Sequence, residues 1–474
     1  MASNRIKWWL CTLFCSLPAA GAWADGAVYA MTNALDNNQV LVYHRAASGS
    51  LSLAQTVATG GGGSGLQLAG VDALGSAGSI QLDPDHRLLF VVNTESAAEN
   101  NGQGAYNTDC QQGTITSFRV ASDGMLTFAD RVFSGGLFPN SLTVRELHHD
   151  NNGNGQDEDS DKRGDLLYVL NAGGPEAPAI CHLTPGTANT PNITGFTVDG
   201  AGHMTPIDDS PDHPGTQPID PGPATGPDNG VSCTAAAAAG FHNLTGAPAA
   251  DFQCGLNPPS FPRSPAQVRF TPSGDQLVVT VKGTNAIYVF GLAKDGRASD
   301  SPTITQATGP ALPSFFGFTF DKKGHLLVTE LFGSATSIPA GGQGALSSFA
   351  ITPNGHLQPI SSHVGDGGTA ACWIALEPVA GRFAYVANNL SASVSSYAVG
   401  NNGIATLLNG LAASASGPND LAVARDGSNS FLYVVDAGSG TVGAFRINAD
   451  GSLTAITGGS GLPAGRSAQG LAAY

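Results

Sequence analysis

Apolar and polar residues alternate in short runs along most of the chain, and the runs recur in one fixed order. A run with period two reads as a strand with one face inward, and a run apolar throughout reads as a strand buried on both faces. Each unit opens on a small residue or a proline at the head of an alternating strand. A second strand follows and ends in an Asn-like residue. A third carries an aromatic residue, and an Asp-Gly type of turn leads into a short fourth. The unit nearest the C-terminus shows the order best: 418–423, then FLYVVD over 431–436, TVGAFRI over 441–447, the turn Asp450-Gly451, and 452–456. Upstream, LLFVVN ending at Asn93 is followed by TITSFRV from Thr114, and LLYVLN ending at Asn171 by NITGFTV from Asn192. LVVTV from Leu277 precedes AIYVF from Ala286, LLVTE ending at Glu330 precedes ALSSFAI from Ala345, and FAYVAN ending at Asn388 precedes SVSSYAV from Ser393.

These are six complete units, and a seventh is split between the ends of the chain. AVYAMTN from Ala27 matches a second strand and VLVYHR from Val40 a third. Gln469-Gly470-Leu471-Ala472-Ala473 matches the missing first strand. Repeats of one four-stranded unit predict a β-propeller, and pairing of the two termini in one blade removes the open edge a ring would otherwise expose. The fold class is therefore all-β, a seven-bladed propeller of four-stranded blades closed by its C-terminal strand. A β-sandwich does not accommodate seven copies of one four-stranded unit. The Asn that ends each second strand is expected as a turn-former.

Composition agrees with many tight turns: 63 of 474 residues are Gly and 29 are Pro, with 41% hydrophobic and only 12% charged residues. The first 24 residues read as a signal peptide. Arg5 and Lys7 precede an apolar stretch from Trp8 to Leu17 that is too short for a membrane span, and Ala22-Trp23-Ala24 is a cleavage signal. Residues 25–474 form the propeller, with an insertion or lid at 206–264, in a protein expected to be secreted or periplasmic. Removing Arg5 and Lys7 takes the formal net charge from −16 to −18, which disfavours nucleic acid and anionic membrane as partners. The chain is expected to be a monomer. Export permits disulfides. Cys233 with Cys254, inside one insertion, is the first expected pair, and Cys110 with Cys181, in corresponding insertions of neighbouring repeats, the second. Cys372 is left as a packed, unpaired residue.

The repeat, with segments such as Leu167-Tyr168-Val169-Leu170-Asn171 and Phe118-Arg119-Val120-Ala121-Ser122-Asp123-Gly124, resembles the YVTN-repeat and lactonase-type seven-bladed propellers. That group includes relatives of 6-phosphogluconolactonase and of 3-carboxymuconate-cyclising enzymes. The resemblance covers essentially all of 25–474. It specifies the fold closely and implies a lactone hydrolase or cycloisomerase. Lactonase-type members often carry a Gly-Pro-Arg-His-like segment opening an inner strand. Here the matching segments are Gly417-Pro418-Asn419-Asp420, Arg263-Ser264-Pro265-Ala266-Gln267 and Leu137-Phe138-Pro139-Asn140-Ser141, without an Arg-His pair after proline.

In a four-stranded blade the loop after strand two and the crossover after strand four emerge on one face. The long segments 58–77, 94–112, 172–191, 206–264 and 331–344 all fall there and predict a looped mouth over the central channel. The first strands line that channel, and their opening residues Asn140, Gln267, Trp373, Asn419, Asp420 and Gln469 are candidate substrate contacts. Arg263 and Arg466 precede two of these strands and are suited to bidentate recognition of a carboxylate. Among mouth-face histidines, His182, His242 and His363 are the candidate general bases. No G-x-S-x-G elbow, Walker loop or dinucleotide fingerprint points to another enzyme class, and no organic cofactor is implied. On the opposite face, Asp150-Asn151-Asn152-Gly153-Asn154-Gly155 fits the D-x-[DN]-x-[DN]-G pattern of a calcium loop. Asp150, Asn152, Asn154, Gln156 and Asp161 are the candidate ligands of a structural Ca²⁺. Two functions remain open at this stage. One is a lactonase-like enzyme acting on a small carboxylated lactone at the mouth; the other is a non-catalytic propeller binding a protein or glycan through its looped face.

Overall fold

The strands predicted from the alternation pair into seven antiparallel sheets whose innermost strands touch in one closed cycle. The structure, a computed structural model, describes residues 26–34, 37–65, 72, 74–83, 87–94, 113–146, 164–173, 191–207, 216–219, 265–282, 284–307, 313–331, 343–465 and 468–474. Blade 1 holds β1 (Gly26–Met31), β2 (Gln39–Arg45) and β3 (Leu51–Ala58). Blade 2 runs through β4 (Ile80–Leu82), β5 (Leu88–Asn93), β6 (Thr114–Val120) and β7 (Leu126–Phe133). Blade 3 has β8 (Pro139–Glu146), β9 (Asp165–Asn171) and β10 (Asn192–Val198), with β11 (Met204–Pro206) and β12 (Thr216–Pro218) sharing its outer edge. Blade 4 is β13 (Pro265–Phe270), β14 (Gln276–Val281), β15 (Ala286–Gly291) and β16 (Thr303–Gln306). Blade 5 is β17 (Ser314–Phe320), β18 (Leu326–Leu331), β19 (Gln343–Ile351) and β20 (Leu357–Thr369). Blade 6 is β21 (Ala371–Leu376), β22 (Phe383–Asn388), β23 (Ser393–Val399) and β24 (Ala405–Ser414). Blade 7 is β25 (Pro418–Asp426), β26 (Asn429–Asp436), β27 (Thr441–Ile447) and β28 (Leu453–Ser460). The chain then returns as β29 (Leu471–Ala473) to the inner edge of blade 1.

Closure follows the register expected from the sequence. Val28, Tyr29 and Ala30 pair with Ala473, Ala472 and Leu471, and backbone bonds from Met31 N to Gly470 O (3.0 Å) and Gln469 N to Met31 O (3.2 Å) extend the ladder. Arg45 reinforces it. Its side chain is buried, its Nε donates to Tyr474 O at 2.9 Å, and its guanidinium lies 5.7 Å from the Phe431 ring centre of blade 7. A charge-bearing donor in a low-dielectric position makes this bond stronger than a neutral one.

The second strands β1, β5, β14 and β22 are buried along their whole length because each sheet is packed on both faces. The apolar clusters accordingly lie between neighbouring blades, such as Val278, Ile287 and Val289 of blade 4 against Phe315, Phe318 and Val328 of blade 5. Four blades are also stitched to the next by a tyrosine. Tyr29, Tyr168, Tyr385 and Tyr433 donate their hydroxyls to Gly124, Gly296, Gly451 and Gly49 at 2.8–3.0 Å, each acceptor lying in the tight turn before the fourth strand of the following blade. The turn needs glycine: Gly451 has φ +84°, and a Cβ there would sit 2.6 Å from the Phe383 ring. Blades 2, 4 and 5 lack the tyrosine; in blades 2 and 5 a third-strand serine takes its place, Ser117 to Gly202 O (2.6 Å) and Ser348 to Gly403 O (2.7 Å).

Two local expectations change. The Asn ending the second strand is not primarily a turn-former. Asn93, Asn171 and Asn388 are fully buried and bond to the third strand or the preceding blade, as in Thr59 Oγ1 to Asn93 Oδ1 (2.6 Å) and Asn171 Nδ2 to Asn192 Oδ1 (2.8 Å). Asn93 and Asn171 are bonded at both amide ends and clamp strands together, while Asn388 bonds through Nδ2 to Ser395 Oγ at 3.3 Å. Within the segment read as an insertion, Thr216–Pro218 is a strand on β10, and Gln217 reaches Asp300 of blade 4 at 3.1 Å.

Candidate functional site

The antiparallel order places the strand-two loops and the blade crossovers on one face, and the inner strands begin there. At this mouth end the channel is crossed by the segment 74–78, a strap from the crossover between blades 1 and 2. Gln469 of blade 1 grips it at both amide ends, accepting from Leu74 N (2.9 Å) and donating to Ser76 O (2.6 Å). Trp373 Nε1 of blade 6 donates to the same Ser76 O at 3.0 Å. Ser76 Oγ donates to Asn140 O of blade 3 (2.6 Å), and Ala77 N to Ala266 O of blade 4 (3.0 Å). Lys282, at the mouth end of β14, bonds Gly75 O and lies 4.9 Å from the Phe316 ring centre. One short peptide thus joins four blades across the axis.

Six candidate contact residues come together on this wall, and all are buried. Besides Gln469 and Trp373, Asn140 Nδ2 donates to Pro265 O (2.9 Å) and Gln267 Oε1 accepts from Phe318 N (2.6 Å). Asn419 accepts from Asn389 Nδ2 (2.6 Å), and Asp420 accepts from Leu421 N (2.8 Å) and Leu471 N (3.0 Å). Burial pushes the Asp420 carboxyl up to about 7, despite the two N–H donors. Asp72, whose Oδ1 accepts from Leu74 N and Gly75 N, is also raised by burial, with Lys282 pulling it partly back. Lys282 is lowered by the same desolvation. Asp72 and Lys282 carry no sequence signal of their own, although Asp72 falls in a segment expected at the mouth. Cys372 is buried and unpaired, as expected, with its thiol pushed up by burial.

His363 lies elsewhere. The sequence places it in a mouth-face loop, whereas it stands inside β20, the outer strand of blade 5. That strand is thirteen residues long and slips register against β19 three times, and at His363 the backbone adopts φ +55°. The ring is about half exposed, and its Nδ1 lies 2.8 Å from Oε2 of Glu330, which is completely buried near the mouth end of β18. The His363 N–H donates to Ser347 Oγ at 2.9 Å. Thr329 Oγ1 bonds Cys372 O of blade 6 while Val328 packs on blade 4, so by alternation Glu330 faces blade 4. Burial raises the Glu330 carboxyl, and its bonds to His363 and Ser347 pull it back in part.

Arg263, Arg466, His182, His242, the calcium-loop residues 150–161, Cys110, Cys181, Cys233, Cys254 and the signal peptide lie outside the described residues. Among the described residues no group of three or more His, Cys, Asp or Glu side chains is arranged to hold a metal ion. No described helix is long and apolar enough to cross a membrane.

Residues 331–466 match the family described as lactonase, 7-bladed beta-propeller. The ring superposes on the periplasmic gluconolactonase of Pseudomonas aeruginosa with a TM-score of 0.57 at 16% identity, over 94% of this chain and 98% of that one. It superposes on a candidate 6-phosphogluconolactonase from Bacteroides fragilis with a TM-score of 0.53 at 14% identity, over 96% and 99% of the two chains. No curated protein sequence matches. The class defined by the fold is the seven-bladed propeller. The resemblance to lactonase-type propellers read from the repeat holds, carried in sequence by the span from the end of β18 to the start of the closing strand.

Proposed function

We propose that this protein is a lactonase-type hydrolase, exported from the cytoplasm, that opens a small carboxylated lactone on its mouth face. The observation that carries this reading is the half-exposed His363 imidazole, inside the lactonase match, with its Nδ1 2.8 Å from the buried Glu330 carboxylate. Hydrolysis of a lactone needs a base for water and an acid for the departing ring oxygen. His363 Nε2 takes a proton as the water oxygen bonds to the carbonyl carbon. The ring C–O bond then breaks, and the imidazolium returns the proton to the departing oxygen, leaving a hydroxy acid. Arg263 and Arg466 hold the substrate carboxylate; His182 and His242 are the other histidines of this reading. A structural Ca²⁺ held by Asp150, Asn152, Asn154, Gln156 and Asp161 on the opposite face completes it.

The test is acid release from a panel of carboxylated lactones, followed by pH-stat. Wild type is expected to turn over at least one. His363→Gln should lose on the order of 100-fold in kcat, and Arg263→Ala should raise KM. No turnover across the panel, or turnover unchanged in His363→Gln, removes the reading. A non-catalytic binder of protein or glycan is the function that would then remain.

A further inference from the structure

We infer that the face opposite the mouth carries a second site, a groove between blades 6 and 7 in which Arg382 and Arg446 hold the carboxylates of an acidic glycan, a chain of uronate units. The site is independent of the mouth-face chemistry above. The antiparallel blades send the hairpins after their first strands, and the turns before their fourth strands, to this opposite face. The hairpins 377–382 and 426–429 and the turn 448–451 border a cavity of about 360 Å³, lined by Arg382 and Arg446 together with Ser428, Asn429 and Asn448. A second cavity of about 450 Å³ shares Arg382 and Phe383 with the first and continues along blade 6 to Asn402, Ile404 and Thr406. The two lobes make one groove, with one guanidinium at the junction and the other in the first lobe. Each lobe has the volume of a small-ligand site, so the two in line suit several units of a chain.

Both guanidiniums are exposed, and among the described residues neither has a carboxylate partner. Arg382 lies 5.3 Å from the Phe383 ring centre, an aromatic contact that restrains its planar fork. The acid lining the groove is already committed. Glu377 accepts from Val379 N (2.6 Å), Ala380 N (2.9 Å), Gly381 N (2.9 Å) and Ser430 Oγ (2.8 Å). Asp450, in the bordering turn, accepts from Ser452 N and Oγ at 3.0 and 2.7 Å. The repeat does not generate the arginine pair. The register that pairs Phe383 with Ala398 and Phe431 with Arg446 puts Arg87 and Thr197 at the same two places between blades 2 and 3. At the edge of blade 4 facing blade 5, the corresponding cavity is lined by Asp275, Asp295 and Asp300, and its Arg297 lies 3.6 Å from Asp295. In a chain of net charge −16, two unpaired arginines in one groove single out an anion. A guanidinium fork meets a planar carboxylate through two parallel bonds. The amides and hydroxyls of Ser428, Asn429, Asn448, Asn402 and Thr406 suit sugar hydroxyls, which both donate and accept. Nucleic acid would need a broader basic face than this chain has.

The experiment titrates the full chain by calorimetry, at low salt, with hexamers of galacturonate and of mannuronate. At least one hexamer is expected to bind, with an affinity that falls as NaCl is added and is lost when the carboxylates are methyl-esterified. Arg382→Gln and Arg446→Gln should each weaken binding about tenfold, and the double variant should give no heat. Both side chains are exposed, so these variants should melt as wild type does. Arg87→Gln, on the same face between blades 2 and 3, should bind as wild type does. No heat with either hexamer overturns the inference, as does binding retained in the double variant or equal binding of the methyl esters. Hexaglutamate bound as tightly as the uronate, with the same dependence on the two arginines, also overturns it and makes the groove a site for acidic peptide.

Discussion

Asp420 sits on the channel wall with its carboxyl raised from 3.8 to about 7 by burial, and the sign of its effect on stability follows from that shift. Between about pH 4 and pH 7 the unfolded chain releases this proton while the folded chain keeps it. The group's contribution is therefore most favourable below pH 4 and is lost as pH rises through 7, by roughly 4 kcal/mol in all. Asp420→Asn has no proton to release, so moving from pH 4 to pH 8 should shift stability toward the variant relative to wild type. Urea unfolding of both proteins at the two pH values measures this, and a difference independent of pH would contradict it. At this scale the sequence was legible unevenly. Asn140, Gln267, Trp373, Asn419, Asp420 and Gln469 fall on the channel wall because the repeat register fixes where first strands begin. Asp72 and Lys282 were invisible, because their meeting depends on a strap whose path no local pattern encodes. The acid at Glu330 was visible as a break in the repeat, but its partner depends on slips in β20 that period-two alternation does not reveal.

Between neighbouring elements, the tyrosine stitch is the device most open to measurement. Tyr385→Phe deletes the 3.0 Å bond to Gly451 O and leaves that carbonyl buried without its donor. A loss of about 1 kcal/mol is expected in denaturant unfolding, and an unchanged stability would show that the hydroxyl is not a stitch. This device was legible as the tyrosine of the repeated second strand and the glycine of the repeated turn, although their pairing across blades needed the ring. The calcium loop expected between β8 and β9 rests on residue types alone. Calorimetric titration should give heat with wild type and none with the Asp150→Ala, Asn152→Ala double variant, and equal heats would remove the ion from the account.

Closure of the ring decides what the whole molecule can do. Pairing of β29 with β1 fixes the strand-two loops and crossovers on one face, where the strap 74–78 is bonded to four blades. Six of the candidate contact residues are committed to blade and strap bonds, and the proposed chemistry is assigned instead to His363, half exposed beside the buried Glu330. The sequence had foreseen a site inside the channel mouth. It placed His363 in a mouth-face loop rather than inside β20, because a strand's outer position and its slips are properties of assembled blades. The measurement that bears most directly on this account is a crystal structure with the hydroxy-acid product of a turned-over lactone. The account predicts the product on the mouth face, with its newly formed carboxylate within hydrogen-bond reach of His363 Nε2. Product bound only on the opposite face, or on the mouth face away from His363, would contradict it.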